Sequence, residues 1–334
     1  MQNNLEKRCL MSDIQPNYIV GAYASAPSIL TNDFTDEAVF YEKIITLPQM
    51  RGFEIPFWGD EVHALGNKFL TPFIKDHFEN TLTCVPCAVN SCKIDSKIGL
   101  ASKDEEAREY AVSLHKKAYE FCCDLNNKHG KNSFLAVQLA SAPQHKNNQT
   151  SFDSFAKSLE EIASWNWDST AILIEHCDAF SSSQKVEKGY MPIEDEIQSI
   201  KAVGYKRLGM VINTGRSAIE GQSISKSIEH IQLAQSENLL RGVMFSGVSS
   251  EVNDYGPWKD LHMPFGHFKS SAYPYDDSAL TEDYMSDLGD VLTYSDLLFL
   301  GFKLLPSPSA KVSMDERYMI NEDAVDILNA CIKK

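Results

Sequence analysis

Eight short, apolar, β-rich runs recur along this chain, and amphipathic helical stretches fill the gaps between them. The runs are 18–23 (YIVGAY), 52–57 (GFEIPF), 81–85 (TLTCV), 134–139 (FLAVQL), 171–175 (AILIE), 208–213 (LGMVIN), 242–246 (GVMFS) and 298–303 (LFLGFK). They are spaced by roughly 30 to 60 residues, about what a strand, a helix and two loops require. Strand–helix alternation predicts an α/β fold with a parallel sheet. Eight units in 334 residues fit a closed (β/α)8 TIM barrel better than an open doubly wound sheet. No G-x-G-x-x-G follows the first run and no P-loop signature occurs, so a nucleotide-binding open sheet lacks its main support.

The helices are readable one by one. Ser102-Lys-Asp-Glu105 has the spacing of a capping box. After it, Ala107, Tyr110, Ala111, Leu114, Ala118, Phe121, Cys122 and Leu125 make a 3.6-residue stripe, with Gly130 at its stop. Phe152, Phe155, Leu159 and Ile162 make a second stripe. Ile193, Ile197, Ile200 and Val203 make a third, closed by Gly204 in a left-handed cap. Ile224, Ile228 and Ile231 make a fourth, and Val325 and Leu328 close the chain. No low-complexity linker divides it. The expectation is one barrel domain over 17–334 behind an N-terminal extension, 1–16.

Composition narrows the function classes. A hydrophobic fraction of 43% with 10% aromatics is globular. The formal net charge is −15, and no basic patch offsets it, which argues against nucleic acid as a partner. No stretch reaches the roughly 18 apolar residues of a membrane helix. The first fifteen residues lack a secretory core, so a cytoplasmic protein is expected. Eight cysteines are too sparse for a disulfide scaffold. Cys84-Val-Pro-Cys87 reads as part of a strand, with no second pair to complete a zinc site and no thioredoxin-like setting.

In such a barrel the chemistry lies at the C-terminal ends of the strands. Glu54 is the only charge in the second run, and Gln138 sits near the end of the fourth. Glu175 ends an otherwise apolar run, where a carboxylate is costly unless paired or used. It reads as a base or metal ligand, or as the partner of Lys303 or Arg216. His176 follows it. Asn213 ends the sixth run, and Thr214-Gly-Arg216-Ser-x-x-Glu220 reads as a loop turned by Gly215. Arg216 either clamps a substrate carboxylate or phosphate or pairs with Glu220 at the surface. After the seventh run, Trp258 suits stacking on a sugar ring, while Asp260 and His262 alternate and so share a side. Lys303 ends the eighth run. Glu54, Glu175, Asn213 and Lys303 are expected to converge in one pocket.

The segments GFEIPFW at 52–58, ILIEHCDA at 172–179 and NTGRSAIEG at 213–221 resemble the xylose-isomerase-like barrel superfamily of sugar-phosphate isomerases and epimerases, over roughly residues 17 to 330. The resemblance implies a carbohydrate substrate and proton transfer between adjacent carbons of a sugar. It also implies, for active members, a divalent metal (Mn, Mg or Zn) held by a Glu on strand five, an Asp on strand six, a His or similar group near strand seven and a Glu on strand eight. Carried across, only Glu175 matches; Asn213, Ser246 and Lys303 stand at the other places. Two carboxylates are lost and an ammonium gained, which makes the pocket less attractive to a dication. Either Lys303 takes the metal's place beside Glu175, which is the preferred reading, or Glu175, Asp260 and His262 rebuild a three-ligand site. The related abasic-site endonucleases need a His- and carboxylate-rich zinc cluster and a DNA-binding face, and both are missing.

Three functions follow. The leading one is a sugar or sugar-acid isomerase or epimerase, with Glu175 as base, Glu54 or His262 as the second acid–base group, and Lys303 and Arg216 holding an enediolate. Asn213, His176, Trp258, Asp260 and Gln138 complete the substrate-binding set. The second is a lyase or aldolase with Lys303 as Schiff-base lysine. The third is a carbohydrate-binding barrel without chemistry. A homo-oligomer is compatible with all three.

Overall fold

A computed structural model describes residues 17–308 and 311–332; the extension expected over 1–16 lies outside them. The eight runs form β1 (Tyr18–Val20), β2 (Met50–Pro56), β3 (Asn80–Thr83), β4 (Phe134–Leu139), β5 (Ala171–His176), β6 (Leu208–Asn213), β7 (Leu240–Phe245) and β8 (Phe299–Phe302). They pair in sequence order, all in parallel, and β8 closes onto β1. The ring is the expected (β/α)8 barrel.

Side chains of a strand alternate between its two faces, and this alternation builds the site. Ile19, Ala136, Leu173, Val211, Met244 and Phe299 pack together as a small apolar cluster separate from the main core. Two residues further along four of the strands or their ends stand Gln138, Glu175, Asn213 and Ser246, joined by Glu54 and Lys303, all buried. The apolar layer thus carries a polar layer at the C-terminal end. Glycine makes room for it. A Cβ on Gly21 would lie 2.4 Å from Cβ of Lys303. Outward-facing residues such as Ile55, Leu82, Val137, Ile174, Ile212 and Phe302 join the large core beneath the helices.

The helices follow their stripes. Glu105–His129 ends at Gly130 (φ 65°) and Ile193–Val203 ends at Gly204 (φ 64°), both left-handed caps. Three local readings are corrected. The cap of the long helix is Asp104, whose carboxylate accepts the Ala107 N–H, while Ser102 Oγ accepts from Asp104 N. The segment after β6 is a helix, Thr214–Gly221, capped by Asn213, which accepts the Arg216 N–H. Gly215 does not turn the chain; a side chain there would meet the Ser246 carbonyl oxygen at 2.7 Å. Finally, Cys84 and Cys87 are not within a strand. Cys84 caps the helix Val85–Ile94 and Cys87 lies in its first turn. Both are buried, and burial pushes the Cys87 thiol up to about 11 and the Cys84 thiol well above its ordinary value, the reverse of an activated thiol.

The long segment between β7 and the Glu282–Val291 helix folds back across the barrel mouth. Bridges Gly247–Met263 and Ser249–Pro257 tie it together. Tyr255 donates to the Leu305 carbonyl at 2.6 Å, and Leu305 N donates to the His262 carbonyl at 2.7 Å. Among the described residues no helix is long and apolar enough to cross a membrane.

Candidate active site

Glu175, on the inner face of β5, is the hub of a buried ionic network. Its Oε1 accepts from Lys303 Nζ at 2.8 Å and Asn213 Nδ2 at 3.1 Å, and lies 2.7 Å from Arg216 Nη1. Its Oε2 accepts from Thr83 at 3.2 Å. Burial pushes Glu175 up, but Arg216 and Lys303 outweigh it and hold the carboxyl down at about 2. Glu54 accepts from Lys303 and Gln138 at 3.2 and 3.1 Å and from the Tyr23 hydroxyl at 3.2 Å. Burial wins there, and its pKa is raised despite Lys303. Glu54, Glu175, Asn213 and Lys303 thus come together, with Gln138 beside them, but as a packed, buried ionic layer and not around the one pocket expected of them.

Arg216 links this layer to the mouth. The sequence left it clamping a ligand, pairing with Glu220 at the surface or partnering Glu175; it is buried, and its partners are Glu175 and Asp260. Asp260 also takes Lys188 Nζ at 2.7 Å. Burial raises the Asp260 pKa, but Lys188 and Arg216 drive it well below the usual carboxylate range. His262 Nδ1 lies 2.9 Å from Ser246 Oγ and 3.3 Å from Asp260 Oδ1. Burial outweighs Asp260 and lowers His262 to about 3, so its ring is neutral at pH 7. Asp260 and His262 do share a side, as their alternation suggested.

Above this layer opens a cavity of about 280 Å³, lined by Tyr23, Trp58, Lys188, Arg216, Asp260 and His262 among others. A lobe of about 400 Å³ adjoins it, sharing Tyr23, Ile29, Trp58 and Asn90. Glu54, Glu175, Asn213, Gln138 and Lys303 do not reach either wall; they form the sealed layer below. Trp258 packs instead against Ala218, Ile219 and Val248, and the aromatic at the cavity is Trp58, 40% exposed. His176 is turned away from the barrel interior. It lies 2.8 Å from Glu196 and 3.0 Å from Glu220, in the layer between β5 and the helices, because it neighbours the inward Glu175 on a strand.

Among the cavity residues that the sequence did not single out are Tyr23, Trp58 and Lys188. Tyr23 stood at the end of the first run, but β1 stops at Val20 and Tyr23 is placed by the 3-10 turn Ala22–Ala24. Trp58 stood in the GFEIPFW segment, two beyond inward Pro56. Lys188 had no signal in the sequence. It is brought in by Asp178, whose Oδ2 accepts the N–H groups of Glu187, Lys188 and Gly189 at 2.7, 2.6 and 3.3 Å. That turn is a tertiary contact.

The strand-tip donors do not fit a dication. Lys303 and Arg216 both press on Glu175 Oε1, Asn213 spends its carbonyl oxygen on the Arg216 N–H, and Arg216 stands between Glu175 and Asp260. Two fixed cations occupy the oxygens a metal would need, and they also prevent Glu175, Asp260 and His262 from forming one ligand set.

The model of a family described as Domain of unknown function (DUF4862) matches residues 19–320. The uncharacterized protein STM3670 of Salmonella typhimurium (strain LT2) is 31% identical over 320 residues, covering 95% of this chain and 98% of that protein. Among solved structures, the IolI protein with a binding zinc atom matches with a TM-score of 0.57 at 12% identity, over 96% of this chain and 100% of that one. An L-ribulose 3-epimerase matches with a TM-score of 0.56 at 13% identity, over 95% and 96%. At that identity the likeness speaks for the fold, a xylose-isomerase-like TIM barrel.

Proposed function

The chain belongs to the DUF4862 family, and from its mouth cavity we propose that it is a sugar or sugar-acid isomerase or epimerase working by proton transfer at the C-terminal face of the barrel. The observation that carries this is one carboxylate, Asp260, held between Lys188 and Arg216 with a neutral His262 beside it, on the wall of a cavity sized for a small polar ligand.

Asp260, ionised, takes the proton from a carbon next to a carbonyl and, once protonated, gives it back to the adjacent carbon or, through neutral His262 3.3 Å away, to the opposite face. Lys188 and Arg216 receive the oxygen that gains charge as that proton leaves. The two functions are coupled. A substrate oxygen that takes over Lys188 or Arg216 relieves Asp260 of a cation, and its basicity rises when the base is needed. Trp58 offers an apolar face for the ring. Beneath, Glu175, Lys303 and Glu54 are positioning residues: Glu175 fixes the angle of Arg216 without touching substrate. The Schiff-base reading is not supported, because Lys303 Nζ is bound by two carboxylates and lies below the cavity wall.

The test is proton exchange. The protein is incubated in D2O with ketopentoses, ketohexoses and uronic acids, with and without chelator, and carbon-bound deuterium is followed by NMR. Deuterium uptake next to the carbonyl of one substrate class, unaffected by chelator and abolished in Asp260→Asn, is the expected result. No uptake from any sugar refutes the enzymatic reading, and uptake that vanishes with chelator and is restored by magnesium or manganese refutes the fixed-cation chemistry.

A further inference from the structure

A second cluster of metal-ligating side chains lies outside the barrel wall, behind β5. We propose that His176, Glu220 and His230 form a zinc site there, distinct from the strand-tip cavity. Their ligand atoms all lie within 4.8 Å of one another, and this is the one group of three His, Cys, Asp or Glu so placed among the described residues. His176 Nε2 is 3.0 Å from Glu220 Oε2, and His230 Nε2 is 3.3 Å from Glu220 Oε1. Tetrahedral ligands at about 2.0–2.2 Å from zinc are themselves about 3.3 Å apart, so the three atoms need only small side-chain rotations to share one ion.

Two observations beyond proximity point to a metal. The first is the outer shell. Each imidazole has its other nitrogen held: His176 Nδ1 by Glu196 Oε2 at 2.8 Å, and His230 Nδ1 by Ser217 Oγ at 3.0 Å. Glu196 is anchored in turn by Ser141 at 2.5 Å. A carboxylate behind a histidine is the arrangement that orients imidazole toward zinc and raises its ligand strength. The second is a poorly satisfied nitrogen. His230 is 2% exposed, and its Nε2, 3.3 Å from Glu220 Oε1, makes no well-aligned hydrogen bond there. Buried ring nitrogens are usually well bonded, and a cation between the two groups would satisfy both. Two nitrogens and one carboxylate suit zinc and disfavour magnesium and calcium. Three protein ligands leave a fourth position for water. Glu220, with its side chain 17% exposed, provides the way in. The ion would tie β5 to the Thr214–Gly221 helix, which carries Arg216, and to the Ser225–Ser236 helix, which carries His230.

The experiment is calorimetric titration of the chelator-stripped full chain with zinc chloride and, separately, magnesium chloride, followed by cobalt(II) absorption spectroscopy. Wild type should bind one zinc per chain and no magnesium, and cobalt should give the intense visible bands of a four-coordinate site. Glu220→Gln and His230→Gln should each lose the zinc and the cobalt bands while keeping the far-ultraviolet circular dichroism of the fold. If one of them fails to fold, the other decides. Glu196→Gln should weaken zinc about 10- to 100-fold. His262→Gln, at the mouth cavity, should leave it unchanged. Absence of zinc binding by wild type overturns the site, as does binding that survives both ligand variants. Neither result touches the proton-exchange reading, which is measured with chelator present.

Discussion

Replacing Lys303 by methionine removes one ammonium and little volume, and two buried carboxylates feel it. Both ends of the pair are fully buried, and Nζ sits 2.8 Å from Glu175 and 3.2 Å from Glu54. Breaking a buried pair from one side costs about 3–5 kcal/mol. The fall of Glu175 from 4.5 to about 2 is worth about 3 kcal/mol at about 1.4 kcal/mol per pH unit, but Arg216 shares it with Lys303, so the Glu175 side carries only part of the loss and Glu54 the rest. The loss is not equal on the two sides. Glu175 keeps Arg216, Asn213 and Thr83, whereas Glu54 keeps only the neutral donors Tyr23 and Gln138. Glu54, already raised by burial, takes up a proton in the variant. A carboxyl raised in the folded state contributes its stability below the unfolded value and loses it as pH rises through the folded one. The deficit of Lys303→Met therefore grows from pH 5 to pH 8. Urea unfolding at both pH values measures it, with about 3–5 kcal/mol expected at pH 8 and clearly less at pH 5. Adding Glu54→Gln should recover part of the loss at pH 8 and little at pH 5. A Lys303→Met protein within about 1 kcal/mol of wild type at pH 8, or one with the same deficit at both pH values, would show that the network is not held together by that ammonium.

Further outcomes follow from the same geometry. Because Glu175 is depressed in the fold, its contribution is complete above the unfolded value and lost as pH falls from about 4.5 to about 2; Glu175→Gln should flatten stability against pH across that window, read by thermal unfolding. Gly21→Ala puts a methyl 2.4 Å from Cβ of Lys303 and should cost about 1–3 kcal/mol in denaturant unfolding. Asp260→Asn should lower kcat by at least about 100-fold for the sugar identified by deuterium uptake. Trp58→Ala, at a 40% exposed position, should raise KM while the unfolding midpoint stays within the error of wild type.

The barrel was legible because its information is local. Hydrophobic runs of strand length, separated by stripes of helical period, specify a parallel sheet regardless of what packs where, and eight of them fill a closed ring. The polar layer was legible for a related reason. Glu54, Glu175 and Lys303 each interrupt an apolar run, and a charge in such a run has to find a partner. The two-residue period even contained the outward turn of His176, one place after Glu175 on β5. What the chain could not reveal was who meets whom across distance. Arg216 had to choose between Glu220, four residues away, and Glu175 and Asp260, far apart in sequence. The helix capped by Asn213 sends it to the latter, leaving Glu220 to His176 and His230. Lys188 reaches Asp260 because Asp178 gathers three backbone N–H groups. Trp58 stands at the cavity where Trp258 was expected, since the latter is taken up by the Ala218–Val248 cluster. Each of these is settled by which partner stands within about 3 Å after the barrel has closed, and Coulomb and hydrogen-bond energies at that range depend on positions that no local pattern encodes.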